Sequence, residues 1–477
     1  FGRLNPVKLI ETVPGDKIIM DSSVLVKTAP MYFPTYHRID VFVHHFFVPN
    51  RIIWDQWKDF QRDEPDVNGN KYLVPTLLGA GSFEALGLSD RPLAGYLALP
   101  YKDINTGQLI NDLNISVLPF RAYTKIYNDY YRDQNLEEEQ SLTQQSSVIK
   151  LRNRAWAKDY FTSALPFEQK GQAVTVPIDL IEADPATWEH ATGESGTSQS
   201  GVLNARSDGT IYIDNGDRDN IKIKANEADA SAFTINDLRL SVRIQEWFEK
   251  QARGGSRYVE TILNHFGVRV PDYTVDRPIY LSGGKIPIEI SEVLATNSNS
   301  AENSPLGDYA GHGIAVGNTN KFSYECKESG WIMSIMSVMP KAEYFQGIPR
   351  HFSRIGNFDF YYPSFANLGE QEVKNREVYA KHSFPNGTFG YQSQFAEMKY
   401  PQTHISGDFM TTLDNWHLAR KFTNDPVLNH EFISKQEEWT SFNGRIFPDS
   451  LTDGFLVQIY NKITAVRPLP YYGTPRL

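Results

Sequence analysis

Four cations and one indole alternate within nine residues: Lys150, Arg152, Arg154 and Lys158 surround Trp156. The mixture suits single-stranded nucleic acid, whose phosphates are met by lysine or arginine and whose bases stack on aromatic faces. Arg152, Arg154, Trp156 and Lys158 are therefore candidate contacts. A charged loop leading into a strand is the competing reading, since spacing alone does not fix where the cations point. A second group is acidic. Residues 182–230 are rich in Gly, Ser, Asn and Asp and hold ten acids against four bases, a balance of −6 within a chain of net charge −10. Such a tract is expected at the surface, facing solvent or an outside partner, and Asp208, Asp214, Asp217 and Asp219 are its surface-facing candidates.

Other constellations are weaker. His44 and His45 are adjacent in a predicted strand, so their rings point to opposite faces and cannot share one ion, and no His-Glu-x-x-His pattern occurs. Residues 214–220 offer oxygen ligands, but Ala225 or Ala228 stands where an EF-hand has its bidentate glutamate, so a solvated turn is expected instead of a calcium site. Residues 311–317 hold three glycines without the strand-to-helix context of a dinucleotide loop, and Gly283-Gly284-Lys285 is followed by Ile286 where a P-loop has a hydroxyl residue. No Gly-x-Ser-x-Gly elbow is present. Cys326 is the single cysteine, which excludes an intrachain disulfide framework. No metal, cofactor or catalytic group is expected.

The elements that would carry these residues are mostly strands. Of 477 residues, 40% are hydrophobic, 13% aromatic and 22% charged, a globular and turn-rich profile that excludes disordered, collagen-like and coiled-coil chains. Strands are predicted over Lys17–Thr28, 36–48, 331–339 and Phe455–Val466 from β-branched and aromatic content and from alternation such as Ile39, Val41 and Val43. The run 331–339 is far short of the ~18 residues of a membrane span. Helices are predicted over 52–60, over 123–131 and over 236–252, the last with Leu240, Ile244, Trp247 and Phe248 on one stripe. The opening residues show no charged segment followed by an apolar one, so no secretory leader is expected. Strong strands at both ends, with long excursions between, suit an expanded Greek-key sandwich. Residues 61–181 read as an irregular and helical insertion, 182–230 as a polar surface insertion, and 467–477 as an extended arm, because its prolines exclude helix. Arg467, Tyr471, Tyr472 and Arg476 are that arm's candidates for contact with a neighbouring subunit.

In order along the chain, segments 11–16 (Glu-Thr-Val-Pro-Gly-Asp), 46–57 (Phe-Phe-Val-Pro-Asn-Arg-Ile-Ile-Trp-Asp-Gln-Trp) and 127–134 (Tyr-Asn-Asp-Tyr-Tyr-Arg-Asp-Gln) are distinctive. They are followed by 159–166 (Asp-Tyr-Phe-Thr-Ser-Ala-Leu-Pro), 252–258 (Ala-Arg-Gly-Gly-Ser-Arg-Tyr), 369–371 (Gly-Glu-Gln) and 389–392 (Phe-Gly-Tyr-Gln). This succession resembles the major capsid proteins of the Microviridae, small icosahedral phages with circular single-stranded DNA, and the gokushovirus-like branch in particular. The resemblance implies a mainly β, eight-stranded antiparallel jelly-roll, a viral capsid β-sandwich, with large loop and helical insertions. It implies sixty copies closing a T=1 shell around packaged single-stranded DNA, with no catalysis. The implied partners are further copies of the chain, a small basic DNA-binding peptide, a pilot or minor capsid protein, an internal scaffolding protein during assembly, and a host cell-surface receptor. On this reading 182–230 is the candidate protrusion, and its aspartates face the receptor. The resemblance also implies a protein made in the bacterial host cytoplasm that ends in the virion. A carbohydrate-active or carbohydrate-binding sandwich is the alternative, since aromatic platforms and acids on a β scaffold also make sugar sites.

Overall fold

The computed structural model describes residues 1–77, 93–100, 115–171, 203–205, 211–213, 235–255, 257–294, 296, 309–434, 445–447 and 454–470. Two compact units divide the chain: Phe1–Glu168 with Gln251–Leu477, and Gln169–Lys250.

Eight strands build the sandwich of the first unit: β1 (Asn5–Thr12), β2 (Lys17–Thr28), β3 (Ile39–Pro49), β4 (Ile279–Leu294), β5 (Tyr309–Asn318), β6 (Phe322–Glu325), β7 (Gly330–Pro340) and β8 (Phe455–Val466). All their pairings are antiparallel. One sheet runs β1, β7, β3 and the first part of β4; the other runs the last part of β4, β5, β2 and β8, with β6 beside the start of β2. Long β4 thus passes from one sheet to the other, as corner strands do in sandwiches. This is a jelly-roll sandwich with insertions.

Alternation makes the core. Val24 and Val26 of β2, Val41 and Val43 of β3, Ile286 and Ile288 of β4, and Met336 and Val338 of β7 point between the sheets into one buried cluster. Burial of such side chains contributes roughly 1.5–3 kcal/mol each. The opposite face of β3 and β7 is covered too: Phe46, Val48, Met333 and Ile335 pack under Phe120, Tyr123 and Ile126 of α1 (Leu118–Ile126). The next turn, Tyr127–Tyr131, widens to a π-helical turn, and the Arg132 N–H bonds the Tyr127 carbonyl at 2.9 Å.

Strands predicted over Lys17–Thr28 and Phe455–Val466 form with those bounds, and that predicted over 36–48 begins at Ile39. The helix expected over 52–60 is instead a 3₁₀ turn at Asn50–Ile52 followed by a short helix at Trp57–Arg62. The glycine-rich segment 311–317 is not a loop but the body of β5. Its glycines answer crowding: a Cβ on Gly311 would lie 2.6 Å from the Phe33 carbonyl oxygen, and one on Gly313 2.8 Å from Thr28 Cγ2.

Within the second unit, Leu203–Ala205 pairs with Ile211–Ile213. Its long helix, α2 (Ile235–Gly254), runs on for four residues into the first unit. Leu240, Ile244 and Trp247 of the predicted stripe are exposed.

Candidate nucleic-acid interface

Segment 150–158 lies along the first residues of the chain. The Leu4 N–H donates to the Arg152 carbonyl at 2.9 Å and the Arg154 N–H to the Gly2 carbonyl at 2.7 Å. Trp156 is 2% exposed and packs in the cluster between the sheets, with the Arg420 guanidinium 5.3 Å from its ring centre. A base cannot stack on a ring so enclosed, and Trp156 anchors the segment instead. Arg152 is held locally, donating to the Ser147 carbonyl at 2.7 Å and lying 5.6 Å from the Tyr127 ring centre. Lys158 donates to the Thr162 carbonyl at 2.9 Å and pairs with Asp133. Arg154 behaves differently. Its guanidinium lies 4.1 Å from the Phe42 ring centre and 5.9 Å from that of Tyr131, and donates to Ser337 Oγ at 3.2 Å. Among the described residues no carboxylate forms an ion pair with it.

Two cavities meet at Arg154. The larger, ≈ 600 Å³, lies over the outward residues of β3, His44 and Phe46, and is walled by Tyr130, Tyr131, Tyr280 and Arg253. The smaller, ≈ 290 Å³, holds Arg38, Asp40, Phe42, Lys285 and Lys341; Arg154 and Ala157 line both. The strand register explains this grouping. Phe42 stands opposite Lys285 and His44 opposite Gly283, all on the outward face of β3 and β4. A Cβ on Gly283 would lie 2.8 Å from His44 Cδ2, so glycine is what leaves room for the His44 ring.

Segments remote in sequence close the larger cavity. Arg253 pairs with Glu370 and donates to Gln392 Oε1 at 3.0 Å. Arg257 donates to Glu260 at 3.1 Å and to the Arg132 carbonyl at 2.8 Å, while Gln134 donates to Glu260 at 2.8 Å. Four of the segments that carry the family resemblance, 127–134, 252–258, 369–371 and 389–392, are thereby brought together. Sequence reading had singled out Arg154 and Lys158 here but not Phe42, Tyr280, Lys285, Arg253 or Lys341. The alternation of β3 already placed Phe42 and His44 on one face; the partners across 200 residues carried no local signal.

His44 and His45 do face opposite ways. His44 Nδ1 is 2.8 Å from the Tyr131 hydroxyl, and His45 Nδ1 is 2.7 Å from Ser334 Oγ, inside the sandwich. Burial pushes His45 down to about 4; burial, with help from Arg154 and His45, does the same to His44. Both rings are neutral at pH 7. Burial raises Asp133, but Lys158 and the backbone N–H groups of Asn135 and Leu136 outweigh it, so its carboxylate is held below the ordinary range. Burial pushes the Cys326 thiol up to about 11, which leaves it an unreactive core residue. Among the described residues no group of three His, Cys, Asp or Glu side chains could hold a metal ion, and no helix is long and apolar enough to cross a membrane.

Of the arm, Arg467 is described: it donates to the Glu11 carbonyl at 2.8 Å and lies 3.6 Å from Asp16 Oδ2. Tyr471, Tyr472 and Arg476 lie outside the described residues, as do Asp208, Asp214, Asp217, Asp219 and the loop 214–220.

An antiparallel jelly roll with long insertions is an architecture that subunits of viral shells use. The chain belongs to the capsid protein (F protein) family, whose description matches residues 1–477. It is similar to capsid protein VP1 of Bdellovibrio phage phiMH2K, 33% identical over 100% of this chain and 92% of that protein. Similarity to capsid protein VP1 of Chlamydia phage 1 is 31% over 99% and 92%, and to that of Spiroplasma virus 4 is 29% over 100% and 92%. These likenesses decide between the shell reading and the sugar-binding alternative. As a bacteriophage capsid protein, the chain has its place in the virion.

Proposed function

We propose that sixty copies of this chain close a T=1 icosahedral shell around a circular single-stranded DNA genome, and that the chain acts by assembly without catalysing a reaction. The observation that carries this reading is the bare apolar surface between residues 352 and 368. Phe352, Ile355, Phe358 and Leu368 are each at least 65% exposed. A monomeric protein rarely leaves so many large side chains in water, whereas a subunit of a closed shell buries surface on several sides at once. A shell of net charge −10 per chain cannot neutralise a genome alone. That charge supports a small basic DNA-binding peptide as companion; the pilot, scaffolding and receptor partners rest on the family likeness. The acidic insertion 182–230 is the surface offered to the receptor, and the arm from Arg467 onward ties neighbouring subunits. The test is to replace Ile355 and Phe358 together by Asp and make the protein with its companion proteins. The expected result is a folded chain that no longer forms particles; normal particles would remove this surface from the account.

A further inference from the structure

We infer that the joined cavities around Arg154 form a groove for unpaired nucleotides, so that the outward face of β3 and β4 is the genome-facing side of the shell; this rests on the single-stranded genome proposed above. Five cations and two carboxylates line the larger cavity, four cations and one carboxylate the smaller, with Arg154 counted in both. That is a local positive stripe on a chain whose overall balance is negative, which is how an acidic protein can still hold phosphates at one place.

Charge alone would suit any polyanion, but the rings narrow the choice. Tyr280 is 46% exposed at the cavity wall, with the His44 and Tyr131 rings stacked behind it at 6.0 Å between centres. Phe42 lies beneath Arg154 and Lys285. Aromatic faces beside spaced cations are the composition that binds single strands, where every base offers a stacking face and the backbone follows the charges. The larger cavity is within the ≈ 300–1,000 Å³ range that encloses a small ligand, and one nucleotide fits that scale.

Polar atoms in the wall point the same way. Arg132, Gln134, Arg154 and Arg257 bring guanidinium and amide groups to the wall. An amide oxygen accepts from a base amino group, and guanidinium N–H groups donate to base carbonyls or phosphate. A duplex cannot offer its base edges and faces in this way, so the groove discriminates for unpaired strands.

The test measures binding of a labelled oligothymidylate, and of a duplex of equal length, to the purified full chain by fluorescence anisotropy over a salt series. The oligonucleotide is expected to bind at least tenfold more tightly than the duplex. Lys285→Glu with Lys341→Glu should weaken it at least tenfold and flatten the salt dependence. Tyr280→Ala should weaken it several-fold with the salt slope unchanged, because it removes stacking and no charge. Lys462→Glu, on β8, is the control and should bind as the parent does. Equal binding by a polyglutamate peptide of matched charge would overturn the proposal and make the groove a cleft for acidic peptides, and an unaffected double variant would overturn it outright. Because this assay needs no shell, its failure is distinct from failure to assemble. In particles, the double variant should leave size unchanged and lower the packaged DNA.

Discussion

The Arg154 guanidinium lies 4.1 Å above the Phe42 ring centre and donates at 3.2 Å to Ser337 Oγ, joining the segment 150–158 to the outward faces of β3 and β7. The planar group does what an ammonium cannot, stacking and donating at once. Arg154→Lys is expected to lower the stability of the chain by about 1–2 kcal/mol, the scale of a partly desolvated cation–π contact. Arg154→Ala should cost more by unpacking Phe42. Denaturant unfolding of the three proteins checks the order.

Gly283 and Gly347 should differ in how they tolerate a methyl group. At Gly283 a Cβ would crowd the Tyr280 hydroxyl, which can swing away, and His44 and the Val43 carbonyl at 2.8 and 2.9 Å, which cannot. Gly283→Ala is expected to cost roughly 1–3 kcal/mol, as overpacking does. At Gly347 the Cβ would meet the backbone carbonyl of Glu377, and nothing flexible can yield. Gly347→Ala should therefore be the more damaging, read as the larger fall in melting temperature.

His45 makes stability depend on pH. Its folded value is about 4 against 6.5 when unfolded, so between those values the unfolded chain binds more protons. Stability from this ring is complete above about pH 6.5 and is lost as pH falls towards 4, by about 3 kcal/mol in all. His45→Gln should flatten that part of the profile. Melting temperatures at pH 7 and pH 4.5 for both proteins give the comparison, and an equal slope in the variant would remove His45 from the acid response.

Arg420 is 1% exposed, with its guanidinium 4.0 Å from the Phe432 ring centre and a hydrogen bond of 2.7 Å to the Phe432 carbonyl. It also reaches the Tyr344 hydroxyl at 3.2 Å, which donates at 3.1 Å to half-buried Asp159. Arg420→Ala is expected to destabilise the chain by about 3–5 kcal/mol because it unpacks Phe432, leaves the Phe432 carbonyl without its donor and removes a cation that favours the Asp159 charge. Arg420→Ala combined with Asp159→Asn should recover part of the loss, a coupling that a double-mutant cycle reads directly.

How much of this was legible beforehand followed the range of the signal. The bounds of β2 and β8 were readable because β-branched runs end at turn residues, and the opposed rings of His44 and His45 followed from a period of two. Strand β5 was hidden because its three glycines imitate a loop, whereas they are there to clear Phe33, Thr28 and Ile286. Tyr127–Tyr131 continued the helical spacing of α1, and spacing does not reveal a widened π-turn. Trp156 misled for a different reason: composition put a ring among cations, while the backbone N–H of Trp156 donates to the Ile433 carbonyl at 3.0 Å and the ring turns inward. The groove as a whole joins β3, the π-turn, the end of α2 and the hairpin of Glu370–Lys374 with Thr388–Ser393. Such convergence exists only in the folded chain.

The central claim is a closed shell, and electron cryo-microscopy of particles from cells making this chain with its companion proteins tests it most directly. The account predicts uniform particles of sixty subunits, with single-stranded DNA inside and the residues between 352 and 368 buried between neighbours. A monodisperse single chain under those conditions, or particles in which that surface stays bare, would contradict it.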